Sequence, residues 1–250
     1  EDINYGADGG LYAELVQNRD FEYSPNDIGR EENWTATNSW TTGGESLSFD
    51  IDTVAPLHAH NPHYAVLDIK EKGHGLVNDG FDGIPVKTGE KYDFSVFARS
   101  TNNKRGKIIV RLLDEDGKVI GEARTGKISK TWNKLSAVVE ATASTVNGRI
   151  EVIPNMEGDL DMVSLFPQKT FKNRKNGMRA DLAQAIADIH PRFVRFPGGC
   201  VAHGNGLDNI YRWENTIGPL EGRKPLCNLW GYHQTMGLGY YEYFQFCEDI

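Results

Sequence analysis

The stretches GIPVKTGEKYDFSVFARS (83–100) and KIIVRLLDEDGKVIGEART (107–125) decide the fold of the middle of this chain. In each stretch, apolar residues alternate with polar ones, which is typical of strands that bury one face. Asp116-Gly117 separates two such runs and predicts a tight hairpin turn. The side chains predicted to face inward are Tyr92, Phe94 and Val96 in the first stretch and Ile108, Val110 and Leu112 in the second.

Further alternating runs lie on both sides of these two stretches. They are SLSFDIDTV (46–54), YAVLDIKE (64–71), NKLSAVVEATA (133–143), GRIEVIPN (148–155) and LDMVSLFP (160–167). Short strands of even spacing, separated by turn residues, are typical of an antiparallel sandwich. The pattern predicts a jelly-roll-like β-sandwich over residues 28–167.

The segments that flank this region have a different period. Residues 1–27 include a short helical pattern at Leu11, Leu15 and Val16, and residues 168–250 predict a helix, a strand at 192–196, a long loop and a second helix at 241–250. The first helix opens at Asn176-Gly177-Met178 and is stopped by Pro191. Its apolar positions are Met178, Leu182, Ala185, Ile186 and Ile189. Because a β/α unit cannot bury its own faces, we expect the sandwich to be inserted near the start of an α/β domain that this chain does not complete.

The long loop is the first candidate for a functional site. The strand ends in RFPGGC (195–200), where two glycines let the backbone turn sharply and come close to a ligand. The loop that follows carries Trp213, Trp230 and Tyr232 over more than 30 residues. Long loops of this kind at strand ends favour a binding site over a spacer.

The overall charge narrows the class of partner. A formal net charge of −8 and a sequence pI near 5.4 argue against nucleic acid and anionic membrane surfaces, and they are compatible with a neutral ligand such as a sugar. The sequence contains no apolar run long enough to span a membrane and no secretory pattern at its start. Cys200, Cys227 and Cys247 form no even framework, so a disulfide between two of them stays open but is not indicated.

Several patterns resemble catalytic or metal sites without completing them. His58, His60 and His63, with His74 further on, lack a cysteine or carboxylate at zinc-site spacing. Asp114-x-Asp116-Gly117 lacks the later bidentate glutamate of a calcium loop, so a hairpin explains it better. No metal site is therefore predicted from these residues.

Four other side chains invite a functional reading. Cys200 with His203 could be taken for a nucleophile and its base, although a thiol that lines a binding site explains the cysteine better. Glu242 and Glu248 lie six residues apart on the last helix and do not share a face, so we expect solvated or structural roles rather than catalysis.

Tryptophans in the predicted sandwich are candidates for stacking on sugar rings. Trp34 and Trp40 lie among Thr, Asn and Ser residues and are the preferred candidates. Trp132 lies just before a strand, where a core role is the stronger alternative.

Three blocks of this sequence resemble family 51 glycoside hydrolases, which are retaining α-L-arabinofuranosidases. The blocks are EDINYGADGGLYAELVQNRDFE (1–22), the join from LDMVSLFPQKTF to RFPGGC (160–200), and WENTIGP (213–219) with NLWGYHQTMGLGYYEYFQFCEDI (228–250). The middle of the chain resembles, less specifically, the carbohydrate-binding-module-like sandwich of the 4/9 type that some members insert after their first barrel strand.

The resemblance implies a (β/α)8 TIM barrel, interrupted by the sandwich, with its site at the carboxyl ends of the strands. It implies that Glu1 hydrogen-bonds the arabinofuranosyl ring, that Cys200 lines the same −1 subsite, that Trp230 lies near the substrate and that Trp213 supports its loop. The family's two catalytic glutamates follow its fourth and seventh strands, so we expect both to lie outside this chain. The chain would then supply part of the substrate-binding wall, shaped by loop 198–232, and would be inactive in isolation.

The same resemblance sets expectations for partners and location. It implies an arabinose-containing polysaccharide or oligosaccharide such as arabinan or arabinoxylan, no nucleic acid, no membrane, and a secreted or periplasmic enzyme. It implies no cofactor, but it leaves open a structural calcium in the sandwich and a homo-oligomeric parent enzyme. The alternative reading is a non-catalytic carbohydrate-binding or scaffolding module.

Overall fold

Two antiparallel β-sheets pack face to face in this computed structural model, which describes residues 7–26, 34–102 and 106–250. The first sheet has the order β1 (Trp40–Thr42), β4 (Leu76–Asn78), β10 (Thr145–Pro154), β7 (Ile108–Leu113) and β8 (Val119–Arg124), and β5 (Ile84–Val86) also pairs with β10. The second sheet has the order β2 (Leu47–Asp52), β3 (Tyr64–Ile69), β11 (Gly158–Pro167), β6 (Lys91–Ser100) and β9 (Asn133–Glu140). The predicted antiparallel sandwich is confirmed.

The core between the sheets is built from the predicted inward-facing side chains. Each of them is at most 2% exposed: Tyr92, Phe94 and Val96 in β6, and Ile108, Val110 and Leu112 in β7. Burying one such side chain contributes about 1.5–3 kcal/mol, so the alternating pattern carries much of the stability of the sandwich.

The hairpin between β7 and β8 turns at the predicted position. Gly117 has a positive φ of 81°, and its N–H donates to the carbonyl of Asp114 at 3.0 Å. The Asp114 carboxylate accepts the N–H groups of Asp116 and Lys118 at 3.1 and 2.8 Å. Asp114 therefore serves the turn, as the hairpin interpretation requires.

The helical pattern predicted at Leu11, Leu15 and Val16 is wrong. Leu11 lies in a turn, and Leu15 and Val16 are not helical: the N–H of Leu15 donates to the carbonyl of Leu165 in β11 at 3.0 Å, and the N–H of Val163 donates to the carbonyl of Arg19 at 2.9 Å. Backbone groups bonded to another strand cannot form an i to i+4 ladder, and Val16 is fully buried in the sandwich core. Backbone hydrogen bonds to residues about 150 positions away therefore determine the conformation of this segment, and the helical spacing of its apolar residues does not.

The C-terminal flank contains three α-helices, α1 (Ala180–Asp188), α2 (Gly199–His203) and α3 (Tyr240–Asp249), and a two-stranded hairpin of β12 (Leu226–Cys227) and β13 (His233–Gln234). Single turns of 3-10 helix lie at 171–173, 213–216 and 220–222. The predicted helices on either side of the long loop are confirmed as α1 and α3. No helix among the described residues is long and apolar enough to cross a membrane.

The strand predicted at 192–196 does not form. Residues 192–196 have no strand assignment, and Phe193 is 81% exposed. A strand needs a neighbour to pair its backbone N–H and carbonyl groups, and none of the strands within the described ranges lies beside this segment.

The predicted apolar face of the first helix is also largely exposed to solvent. Met178 is buried, whereas Leu182 is 37% exposed and Ile189 is 76% exposed. Ala183, which was not predicted as a core position, is the buried residue of α1. It belongs to a second, smaller cluster that joins both flanks and includes Tyr12, Phe166, Phe171, Met178, Leu238 and Phe246.

Candidate functional site

Trp230 lies in the turn of the Trp230 hairpin, the name used here for residues 226–234. Asn228 closes this turn: its Oδ1 accepts the N–H groups of Trp230 and Tyr232 at 3.0 and 3.1 Å, and its own N–H donates to the carbonyl of Tyr232 at 3.0 Å. Gly231 has a positive φ of 78°. The indole of Trp230 is 37% exposed. A fixed backbone therefore presents an accessible aromatic ring.

Arg223 connects the middle of the long loop and the residues that follow the Trp230 hairpin to α3, and sequence reasoning missed it. Its side chain is 4% exposed and donates to the carbonyls of Gly218, Met236 and Gly237 at 2.9 to 3.0 Å. It also donates twice to the carboxylate of Glu242, at 2.9 Å each. Nothing local in the sequence marks this arginine, because its partners lie 5 to 19 residues away.

The two glutamates of α3 both have structural partners. Glu242 is bound by Arg223 and also accepts the N–H of Gly239 at 3.0 Å. Glu248 is exposed and pairs with Arg174 at 2.9 Å. These partners agree with the expectation of a structural role for Glu242 and a solvated one for Glu248.

Cys200 and Trp213 lie on accessible surfaces near the loop. Gly198, with φ of 106°, precedes α2, and Cys200 in that helix is an exposed thiol. The ring Nδ1 of His203 lies 2.6 Å from the carbonyl of Gly204. Trp213 is 55% exposed, and its ring centroid is 6.4 Å from that of Tyr240.

Three of the predicted substrate-binding residues, Cys200, Trp213 and Trp230, lie within the described ranges, and all three are accessible. Within the described ranges, neither hydrogen bonds nor ring contacts join Cys200, Trp213 and Trp230 to one another. Glu1 lies outside the described residues. The structure therefore locates three of the four side chains around the long loop and leaves their shared subsite as a prediction.

Trp34 and Trp40 do not offer a stacking surface, which corrects the prediction made for the sandwich. Trp34 is 6% exposed and stacks on Tyr23 with ring centroids 4.4 Å apart. Trp40 is 5% exposed, and its Nε1 donates to the carbonyl of Asn18 at 2.8 Å. The polar neighbours of these residues in sequence lie at the end of the sandwich, while the indoles point inward.

Trp132 is the more accessible indole of the sandwich. It is half-buried, and its Nε1 donates to the carbonyl of Ala55 at 3.1 Å. The guanidinium of Arg99 lies 4.5 Å from its ring centroid, and the Tyr64 ring is 5.4 Å away at an angle of 80°. The Nε1 of this indole is thus anchored, and the guanidinium of Arg99 lies over the ring.

A buried charged cluster connects the N-terminal flank to the residue just after the Trp230 hairpin. Arg19 is 1% exposed and lies 3.4 Å from Glu14 and 3.7 Å from Asp8. Thr235 accepts from Arg19 at 3.3 Å and donates to Asp8 at 2.7 Å. Burial raises the pKa of Glu14 to about 7, although the charge of Arg19 opposes this shift. A side chain at position 237 would not fit, because a Cβ on Gly237 would lie 2.8 Å from the Arg19 guanidinium.

The four histidines have separate partners rather than a common one. Their Nδ1 atoms contact the N–H of His60 (His58), the carbonyl of Gly222 (His60), the carboxylate of Glu22 (His63) and the carbonyl of Gly43 (His74). Over residues 7–26, 34–102 and 106–250, no group of three or more His, Cys, Asp or Glu side chains could hold a metal ion. None of the three cysteines, all of which lie within the described ranges, forms a disulfide.

Two family models match this chain. Residues 13–156, more than half of the chain, match the carbohydrate binding domain family, and residues 185–250 match the alpha-L-arabinofuranosidase 1 domain. The first match coincides with most of the sandwich. The second contains Cys200, Trp213 and the Trp230 hairpin.

Curated relatives are similar along the whole chain. It is 42% identical to an extracellular exo-alpha-L-arabinofuranosidase of Streptomyces chartreusis, with 100% of this chain and 30% of the relative covered. It is 34% identical to alpha-L-arabinofuranosidase 1 of Arabidopsis thaliana, with 100% of this chain and 38% of the relative covered. The chain thus spans about a third of the length of these relatives.

A solved structure has the same fold over the full chain. The arabinose-bound MgGH51 α-L-arabinofuranosidase superposes with a TM-score of 0.88 and 32% sequence identity, and the match covers 100% of this chain and 41% of that chain. The resemblance to family 51 arabinofuranosidases with a carbohydrate-binding-module-like domain is therefore confirmed.

Proposed function

The chain belongs to the carbohydrate binding domain family, and from this premise we propose that it is part of a retaining α-L-arabinofuranosidase. The proposed reaction is hydrolysis of terminal, non-reducing α-L-arabinofuranosyl residues from arabinan or arabinoxylan. The observation that carries the proposal is the Trp230 hairpin, an accessible indole on a fixed backbone within the segment that matches the arabinofuranosidase domain.

In this proposal the chain supplies one wall of the substrate site. Trp230 and Trp213 present aromatic faces to the sugar, Cys200 lines the −1 subsite, and Glu1 hydrogen-bonds the furanose ring. Retaining hydrolysis requires two carboxyl groups about 5–5.5 Å apart, one as nucleophile and one as acid and then base. We assign neither role to this chain, since Glu242 and Glu248 are bound by arginines.

The proposed architecture places the sandwich within a TIM barrel. Residues 1–27 would begin the barrel, residues 28–167 would form the inserted sandwich, and residues 168–250 would continue the barrel. The exposed apolar side chains of α1 and of the 192–196 segment support this arrangement, because neighbouring β/α units would cover them. We further propose a secreted or periplasmic enzyme without a cofactor, acting on neutral glycans rather than on nucleic acid or membranes. A structural calcium and homo-oligomer formation stay open.

A second candidate function is a non-catalytic carbohydrate-binding or scaffolding module. The family match over residues 13–156 and the half-exposed indole of Trp132 favour it. In this case Trp132, rather than Trp34 or Trp40, would contact the glycan.

Assays of this chain and of a longer natural protein that contains it, both on an aryl α-L-arabinofuranoside, separate the two candidates. We expect turnover only in the longer protein. In that protein, Trp230→Ala should raise KM by about tenfold, as the loss of one stacking contact implies. Val146→Ala, at an exposed position of the sandwich, is the matched control and should leave KM unchanged.

The remaining results of these assays would contradict the first candidate function or our placement of the catalytic glutamates. If the longer protein is folded and inactive while glycans still retain the short chain in affinity electrophoresis, the second candidate replaces the first. Turnover by the 250-residue chain itself would show that our assignment of the catalytic glutamates outside it is wrong.

A further inference from the structure

We propose that the sandwich positions the Trp230 hairpin, and that Asn61 is the principal positioning residue. The consequence for substrate binding rests on the proposed function: if the long loop forms one wall of the substrate site, the sandwich holds that wall in place. The contacts themselves are properties of the fold. They come from the sandwich loop, residues 58–63, which joins β2 to β3, and from the segment around Tyr23.

The first contact lies between the sandwich loop and the 3-10 turn at 220–222. Asn61 is 1% exposed, and its Nδ2 donates to the carbonyls of Glu221 and Arg223, both at 2.8 Å. The ring Nδ1 of His60 lies 2.8 Å from the carbonyl of Gly222. Three consecutive carbonyls of this turn are thus bound by side chains of the sandwich.

This first contact extends directly to the long loop. Arg223, whose carbonyl Asn61 binds, fixes both Gly218 and residues 236–237 through its guanidinium. Asn61 therefore acts on the segment that enters β12 and, through Arg223, on the segment that leaves β13. Both N–H donors of the Asn61 side-chain amide bind carbonyls of this turn. The buried amide therefore stabilises the long loop rather than the sandwich.

The second contact lies at β13 of the hairpin. The ring of Tyr23 is 4.6 Å from the imidazole of His233, and its other side stacks on Trp34 at 4.4 Å with an interplanar angle of 4°. Trp34 is buried at the edge of the sandwich. The aromatic residue that sequence reasoning assigned to glycan stacking thus supports the hairpin instead.

A third contact lies at β12. The thiol of Cys227 is 3.0 Å from the carbonyl of Asn26. The imidazole of His63, at the end of the sandwich loop, lies 2.6 Å from Glu22, so the sandwich loop is also joined to the N-terminal segment that contacts the hairpin. Both strands of the hairpin and the turn before it therefore contact the sandwich loop or the N-terminal segment bound to it.

Holding the hairpin in one conformation has a consequence for ligand binding. A side chain that is ordered before binding loses less entropy when a sugar stacks on it, so its contact contributes more to affinity. A hairpin of two-residue strands is not stable on its own. The sandwich supplies the contacts that the hairpin lacks.

Hydrogen exchange of the 250-residue chain tests the positioning directly. The amides of Asn228, Gly231 and Tyr232 bond within the hairpin turn and report its opening. We expect Asn61→Asp, which removes both donors, to accelerate their exchange by at least about tenfold. His60→Ala removes one contact made by an exposed residue and should accelerate exchange of the same amides by about threefold. This variant decides the outcome if Asn61→Asp does not fold.

Asn78→Asp is the matched control. Asn78 is fully buried, and its Nδ2 donates to the carbonyl of Gln17 at 2.9 Å without contacting the hairpin. We expect it to lower stability while the hairpin amides exchange at the parent rate. Equal acceleration by Asn78→Asp and Asn61→Asp, or unchanged hairpin exchange in both Asn61→Asp and His60→Ala, would overturn the proposal.

Kinetics in the longer natural protein test the consequence for substrate. With a linear arabino-oligosaccharide, Asn61→Asp should raise KM by about tenfold and leave kcat within about twofold, because a loose hairpin weakens binding rather than chemistry. An unchanged KM despite faster hairpin exchange would contradict a role in substrate positioning. If the parent protein shows no arabinofuranosidase activity, the proposed function fails, and hydrogen exchange still decides whether the sandwich positions the hairpin.

Discussion

The guanidinium of Arg223 and the carboxylate of Glu242 form a two-point ion pair, with both N–O distances at 2.9 Å, between the long loop and the first turn of α3. Their side chains are 4% and 13% exposed. Glu242 also accepts the N–H of Gly239, so one carboxylate caps the helix and binds the loop. Because the pair is buried, the loss of either partner leaves an uncompensated charge.

We expect Arg223→Ala to lower the free energy of unfolding by about 3–5 kcal/mol, because it leaves Glu242 buried without its partner. Urea unfolding at neutral pH measures this change. Arg179→Ala is the matched control: Arg179 and Asp181 form an exposed pair, with side chains 42% and 65% exposed, and its loss should cost at most about 1 kcal/mol. Equal effects of the two substitutions would contradict the structural role of Arg223.

Asp161 should destabilise the fold as pH rises. It is fully buried, its Oδ2 has no hydrogen-bond partner among the described residues, and burial raises its pKa well above the ordinary value. The folded state then holds a proton that the unfolded state releases, so stability falls as pH rises from the ordinary pKa through the raised one. Asp161→Asn should be more stable than the parent at pH 8 and similar to it near pH 4.

Urea midpoints at several pH values measure the effect of Asp161→Asn. The carboxamide keeps the acceptor for the N–H of Met162, so the geometry is preserved. A lower midpoint than that of the parent at pH 8 would show that the ionised carboxylate has a favourable partner.

The stability that His63 contributes should also fall as pH rises. The hydrogen bond to Glu22 raises the pKa of His63, so the imidazolium stabilises the fold below the ordinary pKa of histidine, and this contribution is lost as pH rises through the raised value. We expect the parent to lose stability as pH rises from the ordinary pKa of histidine, about 6.5, through the raised value, and His63→Gln, which stays neutral, to lose less. Parallel pH profiles for the two proteins would contradict this.

Trp40 should matter for stability and Trp132 much less. Trp40→Ala removes a core indole and its hydrogen bond to Asn18, and we expect a loss of about 3–5 kcal/mol. Trp132→Ala, at a half-exposed position, should cost about 1 kcal/mol or less. Thermal unfolding of both variants measures the difference. If Trp40→Ala instead weakened glycan retention without destabilising the chain, the core assignment of Trp40 would be wrong.

The sandwich should be more stable than the segment 176–196. Strands β6 and β7 are buried and paired on both sides, whereas Ile189 and Phe193 are 76% and 81% exposed. We expect amides of β6 and β7 to exchange at least about a hundredfold more slowly than those of residues 176–196. Comparable protection of the two regions would contradict this prediction.

The sandwich could be predicted from the sequence because its signal is local. Alternation in β6 and β7 and the turn at Asp116-Gly117 each lie within a few residues, and a buried face enforces that period. The conformation of the segment at Leu15 could not be predicted in this way, since its partner Leu165 lies 150 residues away. The failed strand at 192–196 has the same cause, because a strand depends on its neighbours.

The candidate site could be predicted in part. The glycine-rich turn and the long loop indicated a binding region, the family resemblance implied roles for Cys200 and Trp230 within it, and the structure leaves both accessible. Arg223 and Asn61 could not be found, because their roles depend on carbonyl groups, which every residue type has. Trp34 was misassigned because the polar residues next to it in sequence show that the surface is near, but they do not show in which direction its indole points.

The buried cluster of Asp8, Arg19 and Thr235 joins residues up to 227 positions apart, and this separation has a consequence for biosynthesis. At about 5–20 residues per second, Thr235 is synthesised roughly 10 to 40 s after Arg19. The sandwich strands are complete well before then. While the ribosome is still making the last part of the chain, the charged side chains of Asp8 and Arg19 therefore remain exposed to solvent. They become buried only when the residues around Thr235 have left the exit tunnel.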